Sequence, residues 1–362
     1  MLTSARLRGA ALTLASVFVL VGCGTISDAE VADQAGPTEV TAEEVVIEPV
    51  ADDYVILYSG RNESLVQPLI DLFTEQTGIA VDIRYAGSSE LAAQLLEEGA
   101  DSPASVFLSQ DAGALGALSL EGLFAELPTE ITERVNPAFT SYDDSWVGIT
   151  GRARVIVYDS ETLTAEDLPS TADEIVAPQW SGKVGVAPGN ASFQSFVTAY
   201  RVLKGEGPAD QWVSGLKIND PQIFESNGAI LEAVNEGTLP LGLINHYYWE
   251  RLAFERGAEN LRAQLHFTES GDPASIVNVT GIGLLEAQSF DLDALELIEF
   301  FVSDEAQQYF VEETFEYPLV PGIDSPEGLP ALDDLAVADF DLSDLATLKQ
   351  TQDLLRKYGL IL

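Results

Sequence analysis

The sequence predicts an α/β fold of two doubly wound units with a cleft between them. Three observations carry that prediction. From Tyr54 onward, short β-branched runs alternate with amphipathic helical stretches. The alternation completes one unit by about Leu120 and begins again near Trp146. The chain's 362 residues suit roughly two domains of about 150 residues each.

The elements follow in order. Residues 54–58 read as a strand and 59–63 as a loop. A helix then runs to about residue 76, with Pro68 tolerated in its first turn and Gly78 near its end. Residues 79–85 alternate as a second strand, Ser88 or Ser89 caps the next helix, and Gly99 ends it. A strand at 106–109 and a helix near 112–120 close the first unit. In the second, strands are expected at 146–149, 154–158, 183–187 and 241–244, and helices at 192–204, 209–215 and 227–235. A buried strand at 277–284 and helices near 292–302, 305–313 and 344–358 complete the chain. In such sheets ligands sit outside the carboxyl ends of the strands.

Charge narrows the function. The net formal charge is −42, and only five of the 17 basic residues are lysine. Such a surface repels phosphate backbones and anionic headgroups, which excludes nucleic acid and polybasic membrane docking. At 46% apolar residues the chain still buries ordinary cores, so the acid excess decorates a folded body and suits a salty or acidic habitat. A single Cys rules out disulfides within the chain and any Cys-based zinc site.

The start reads as an export signal over residues 1–22. Arg6 and Arg8 precede an apolar run at 10–21, too short to span a bilayer. The run ends Leu20-Val-Gly-Cys23, which resembles the bacterial lipobox and makes Cys23 the expected lipidation site. Residues 24–53 hold nine acidic and no basic residues and read as a flexible tether. Acyl chains on Cys23 would then anchor a soluble body to a membrane face.

Enzyme templates are absent. The chain has two histidines, His246 and His266, no Gly-x-Ser-x-Gly, no P-loop and no His-Glu-x-x-His. The densest candidate is Asn245-His-Tyr-Tyr-Trp-Glu250, between an apolar strand and a helix start. Neighbouring side chains diverge by about 100° on a helix, so Tyr247 and Tyr248 can converge on one atom only from an irregular turn. A trivalent cation would strip both phenols and make them hard oxygen ligands. The alternative is an aromatic cluster in the core or stacked on a sugar-like ligand.

Several spaced segments carry a resemblance. These are Tyr58-Ser-Gly-Arg-Asn62, Ser102-Pro-Ala-Ser-Val-Phe107, Gly151-Arg-Ala-Arg-Val155, Leu203-Lys-Gly205, Ile244-Asn-His-Tyr-Tyr-Trp249 and Glu316-Tyr-Pro-Leu319. In this order, over about residues 54–320, the chain resembles the bacterial ferric-ion-binding proteins that deliver Fe(III) to ABC importers. The resemblance implies a two-lobed periplasmic-binding-protein fold with a hinge. It places 54–149 plus about 278–328 in an N-lobe, and about 150–277 plus 329–362 in a C-lobe. It implies Tyr247 and Tyr248 as iron ligands, and Asn190, Ala191, Ser192, Asn227 and Asn245 as contacts of a phosphate, carbonate or citrate anion. Asn190 to Ser192 precede an expected helix, whose free N–H groups suit an anion; simple capping is the plainer role for Asn190, Ser192 and Asn227. Arg61 could add a planar fork to the anion, or form a surface ion pair.

Two positions depart from the family pattern. Asn62 stands where many members have His, and Gln110, followed by Asp111, where many have Glu. Either a larger anion such as citrate makes up the difference, or Asp111, Tyr58, Tyr85 or His246 substitutes, or the ligand is an iron chelate. The expectation is a monomeric, non-catalytic, lipid-tethered binding protein, at the outer face of the cytoplasmic membrane or in the periplasm, passing Fe(III) to an ABC permease. The alternative is a carrier of an anion or an iron chelate without direct protein–iron bonds.

Overall fold

The computed structural model describes residues 54–335 and 342–362. The export signal, Cys23 and the acidic tether lie outside the described residues.

The first half follows the expected order of elements. Strand β1 (Tyr54–Ser59) leads to α1 (Glu63–Thr77), then β2 (Ala80–Tyr85), α2 (Ser88–Glu98), β3 (Val106–Ser109), α3 (Ala112–Leu120) and the short turn α4 (Thr129–Thr132). Helix α1 begins because Asn62 accepts from the Ser64 N–H, and it stops at Gly78 in the left-handed region (φ 81°). Pro68 sits deeper in α1 than its expected place in the first turn, because the helix starts at Glu63. Gly87, rather than Ser88 or Ser89, is the N-cap of α2, and no side chain caps it. β1 pairs in parallel with β2 and β3.

Strand β4 (Val147–Asp159) is the central finding of the fold. The sequence predicts two strands here, at 146–149 and 154–158. β4 is one strand of 13 residues, and Gly151 marks a close approach, not a turn. A side-chain carbon there would lie 3.1 Å from Leu319 and Val277 and 3.2 Å from Tyr317.

The second half contains α5 (Ala172–Ile175), β5 (Val184–Val186), α6 (Ala191–Lys204), α7 (Glu206–Ile218), β6 (Gln222–Ile223), α8 (Asn227–Asn235), β7 (Leu241–Asn245), α9 (His246–Arg256) and β8 (Ala263–His266). Next come β9 (Val277–Leu284), α10 (Leu292–Phe301), α11 (Asp304–Tyr309), β10 (Tyr317–Pro318), α12 (Leu332–Leu335) and α13 (Leu348–Lys357). A π-turn at Phe310–Thr314 replaces the last part of the expected helix at 305–313.

The strand order is β2-β1-β3-β9-β4-β7-β5-β6, with β10 and β8 also on β4. The first part of β4, Val147 to Ala153, pairs antiparallel with β9. Its second part, from Arg154, pairs antiparallel with β7 and β8. Beyond β7, β5 and β6 run parallel. The curled sheet thus serves two lobes, and β4 passes from one to the other. One apolar core gathers Leu57, Phe73, Phe107, Trp146 and Phe301; a second gathers Trp180, Phe193, Phe196, Trp212 and Leu243.

The tail joins both cores. Leu342 and Leu345 are buried in the first, and Leu355 and Leu360 in the second. Gly113 and Gly116 let residues 343–345 lie close on α3, since a side-chain carbon at either would meet a tail carbonyl at 2.9 Å. Among the described residues, no helix is long and apolar enough to cross a membrane.

Candidate metal and anion site

The site forms where β7 ends and α9 begins. Asn245 is the N-cap of α9 but makes no capping bond with its side chain. It faces Arg154, its register partner on β4, and its Oδ1 accepts from Arg154 Nη1 at 3.2 Å. The same nitrogen donates to Ser192 Oγ at 3.1 Å and toward Asn227 Oδ1 at 3.4 Å, while Nη2 donates to the Leu243 carbonyl at 2.8 Å. Arg154 therefore draws together the starts of α6, α8 and α9, whose N-terminal ends favour negative charge.

The surrounding amides and hydroxyl interlock. Asn190 caps α6, with Oδ1 accepting from the Ser192 N–H at 2.9 Å and from Ser192 Oγ at 2.6 Å. Asn227 Nδ2 donates to Ser192 Oγ at 2.9 Å. Ser226, not Asn227, is the cap of α8. Ala191 opens α6 and lines the cleft beside Ser192.

Arg154 is a buried cation with only neutral hydrogen-bond partners. Burial pulls its guanidinium down to about 9, still charged at neutral pH, while the nearby Tyr248 and Tyr247 act in the opposite direction. Its Nε has no partner. Such a group calls for negative charge from elsewhere.

Tyr247 and Tyr248 lie in the first turn of α9. Their rings stack with centroids 4.5 Å apart and planes 29° from parallel, within the regular first turn of α9. Tyr247 is buried and Tyr248 half-buried. Burial pushes the Tyr247 phenol well above the ordinary tyrosine range, Tyr248 adds to that, and Arg61 and Arg152 oppose it. The phenol keeps its proton at neutral pH until a cation displaces it. Among the described residues, no group of three or more His, Cys, Asp or Glu could hold a metal ion, which leaves the phenols as the concentrated hard donors.

Across the cleft, the first lobe contributes Gln110 and Asp111. The space they enclose with Arg152, Arg154, Ser192 and Asn245 is about 10 Å³, the room of about one water. A larger space of about 300 Å³ shares Gln110, Asp111 and Ala191 with it and is also lined by Ser88–Glu90, Gly189 and Asn190. Asp111 caps α3, its Oδ1 accepting from the Gly113 and Ala114 N–H groups at 3.0 and 3.3 Å. Burial raises its carboxyl, against the pull of Arg152.

Several sequence expectations need correction. Arg61 is not aimed at an anion: its Nη2 pairs with Glu316 at 2.8 Å, and both side chains are buried. Arg152 Nε lies 3.9 Å from Glu316 Oε1, and its Nη2 donates to the Val279 carbonyl at 3.2 Å and to the Gln110 carbonyl. Asn62 is exposed and caps α1. Tyr58 donates toward Glu98 at 3.3 Å, and Tyr85 to Gln67 at 2.8 Å. His246 cannot substitute as a ligand, because Nδ1 accepts from the Ala153 N–H at 3.1 Å and Nε2 donates to the Phe315 carbonyl at 2.8 Å. Burial holds that imidazole down to about 4, hence neutral. Of the substitutes weighed, only Asp111 lines the cleft.

Sequence reasoning missed Arg154, Arg152 and Glu316 as site residues. The signal was two arginines two positions apart in a β-branched run, which puts both on one face of a strand.

Comparison with known proteins gives the family. A family model described as a bacterial extracellular solute-binding protein matches residues 101–340. The major ferric iron-binding protein of Neisseria meningitidis serogroup B is 32% identical over 310 residues, covering 84% of this chain and 93% of that protein. Iron-bound HitA from Pseudomonas aeruginosa superposes with a TM-score of 0.79 at 32% identity, over 84% of this chain and 99% of that one. A Trichodesmium protein in complex with iron and citrate gives 0.73 at 26%, with 84% and 99% coverage. The chain thus belongs to the bacterial extracellular solute-binding proteins, within their ferric-ion-binding family.

Proposed function

We propose that this protein captures Fe(III) together with an anion in the cleft between its lobes. The carrying observation is the stacked phenol pair of Tyr247 and Tyr248 beside Arg154, a buried cation hydrogen-bonded only to neutral groups. Ferric iron is a hard acid, and two phenolates are hard oxygen donors. Their two protons leave as iron enters, so affinity falls as pH falls.

The anion completes the account. Phosphate, carbonate or citrate would take its place at the starts of α6 and α9, near Ala191, Ser192 and Asn245, and supply the negative charge that Arg154 lacks. Gln110 and Asp111 would meet it from the first lobe. Against the chain's overall negative charge, the local positive potential would come from buried Arg154 and the helix starts, since Arg61 is already paired with Glu316. Closure over the ligand would present one shape to an ABC permease. The remaining parts of the reading are a lipid anchor at Cys23, residence at the outer face of the cytoplasmic membrane or in the periplasm, and a monomeric state. No reaction is catalysed. His246 has both ring nitrogens engaged, and His266 bonds the Pro169 carbonyl at 3.1 Å.

The alternative carrier of a bare anion separates cleanly by thermal melting. Ferric citrate should raise the melting temperature well beyond an equal concentration of citrate or phosphate. An equal rise with the anion alone would reject the ferric reading in favour of the anion carrier.

A further inference from the structure

His246 stands next to the proposed ligands, yet it takes no part in the chemistry above. It is fully buried, and both of its bonds go to backbone groups: the Ala153 N–H and the Phe315 carbonyl. Those bonds fix the tautomer, with Nδ1 bare and Nε2 protonated. Ala153 is the last β4 residue paired with β9, immediately before the strand turns to β7. The first turn of α9 is therefore fastened to the point where the chain passes between lobes.

The second anchor is equally specific. Phe315 has a φ of 57°, an uncommon conformation for a bulky residue, and this turn presents its carbonyl to His246. Its ring packs on Phe254, two turns further along α9, with centroids 5.4 Å apart. The Tyr317 ring lies on the His246 imidazole at 4.9 Å. Between them, Glu316 pairs with Arg61 of the β1–α1 loop. Three successive residues thus grip α9 on one side and the first lobe's loop on the other.

We propose that His246 is a positioning residue. It locks the first turn of α9, and with it the Tyr247 and Tyr248 phenols, to β4 at Ala153 and to the turn at Phe315, so that the geometry of the donor pair depends on the state of the crossing. The proposal rests on the ferric reading above. Substitutions divide the imidazole's two functions. His246→Phe keeps a ring but removes both bonds. His246→Asn can still accept from Ala153, and His246→Gln can still donate to Phe315.

The experiment compares the four proteins by urea denaturation and by visible titration with ferric citrate. The wild-type band shows that the phenolates bind iron; a colourless wild type overturns the ferric reading and this proposal with it. His246→Phe is expected to unfold cooperatively, to bind iron at least about tenfold more weakly, and to show a shifted phenolate band. His246→Asn and His246→Gln should each recover part of the affinity and band. A folded His246→Phe with wild-type band and affinity would overturn the positioning role. Should His246→Phe fail to fold, wild-type band and affinity in both amide variants would overturn it equally.

Discussion

Arg154→Met separates a functional cation from a structural one. Burial lowers the Arg154 guanidinium to about 9, and that drop corresponds to about 5 kcal/mol of cost for keeping the charge inside the folded protein. Opposing it are hydrogen bonds to Ser192, Asn245 and the Leu243 carbonyl, with Asn227 sharing the two Nη1 protons at 3.4 Å. At about 1 kcal/mol for each of three full bonds they return about 3 kcal/mol. The two largely offset, so Arg154→Met should change stability without iron by no more than about 2 kcal/mol, against about 3–5 kcal/mol for breaking a buried ion pair. Binding should behave differently. A charge-assisted bond to the anion is worth about 1.5–3 kcal/mol, so affinity for ferric citrate should fall between about tenfold and about a hundredfold. Urea denaturation measures the first quantity and titration calorimetry the second. A loss of more than about 4 kcal/mol in stability with unchanged affinity would refute the reasoning and make Arg154 a structural residue.

Other predictions follow from the same geometry. Tyr247→Phe and Tyr248→Phe should each weaken iron binding by orders of magnitude with cooperative unfolding intact; unchanged affinity in both, by competition with a chelator, would sink the site. Burial pushes the Glu250 carboxyl up to about 7, so the folded state keeps a proton that the unfolded chain has lost. Its contribution is therefore present at low pH and lost as pH rises toward 7 and above. Glu250→Gln should stabilise the protein by about 1 kcal/mol at pH 8, after allowance for its partial exposure, and leave it unchanged near pH 4; urea midpoints at the two pH values check this, and a loss at pH 8 contradicts it. Gly116→Val would place a side-chain carbon 2.9 Å from the Ser343 carbonyl, so the tail must lift from α3 at a cost of about 1–3 kcal/mol; an unshifted melting temperature would contradict that packing.

Local pattern carried much of the fold. Alternation identified β1 and β2, and Gly78 with Gly99 marked the ends of α1 and α2, because these features depend on neighbours in sequence. The expected strands at 146–149 and 154–158 are one strand, and nothing local shows that Gly151 serves close approach by Tyr317 and Val277. Tyr247 and Tyr248 stood out as adjacent phenols at a strand-to-helix junction, but alone they read equally as an aromatic cluster, and their expected role as ligands came from the family resemblance. Arg154 was not legible, because a charged residue reads as exposed until β4 is set in register with β7 and Asn245 arrives opposite it. Arg61 failed for the same reason: its partner Glu316 lies 255 positions away. The left-handed turn at Phe315 has no local signal, being imposed by what packs around it.

The most direct test of the central claim is a visible spectrum of the metal-free protein titrated with ferric citrate. Direct ligation by Tyr247 and Tyr248 predicts a phenolate-to-iron charge-transfer band that saturates at one iron per chain and disappears in the Tyr247→Phe, Tyr248→Phe double variant. A solution that binds iron yet stays colourless, or a band that survives the double variant, would contradict it.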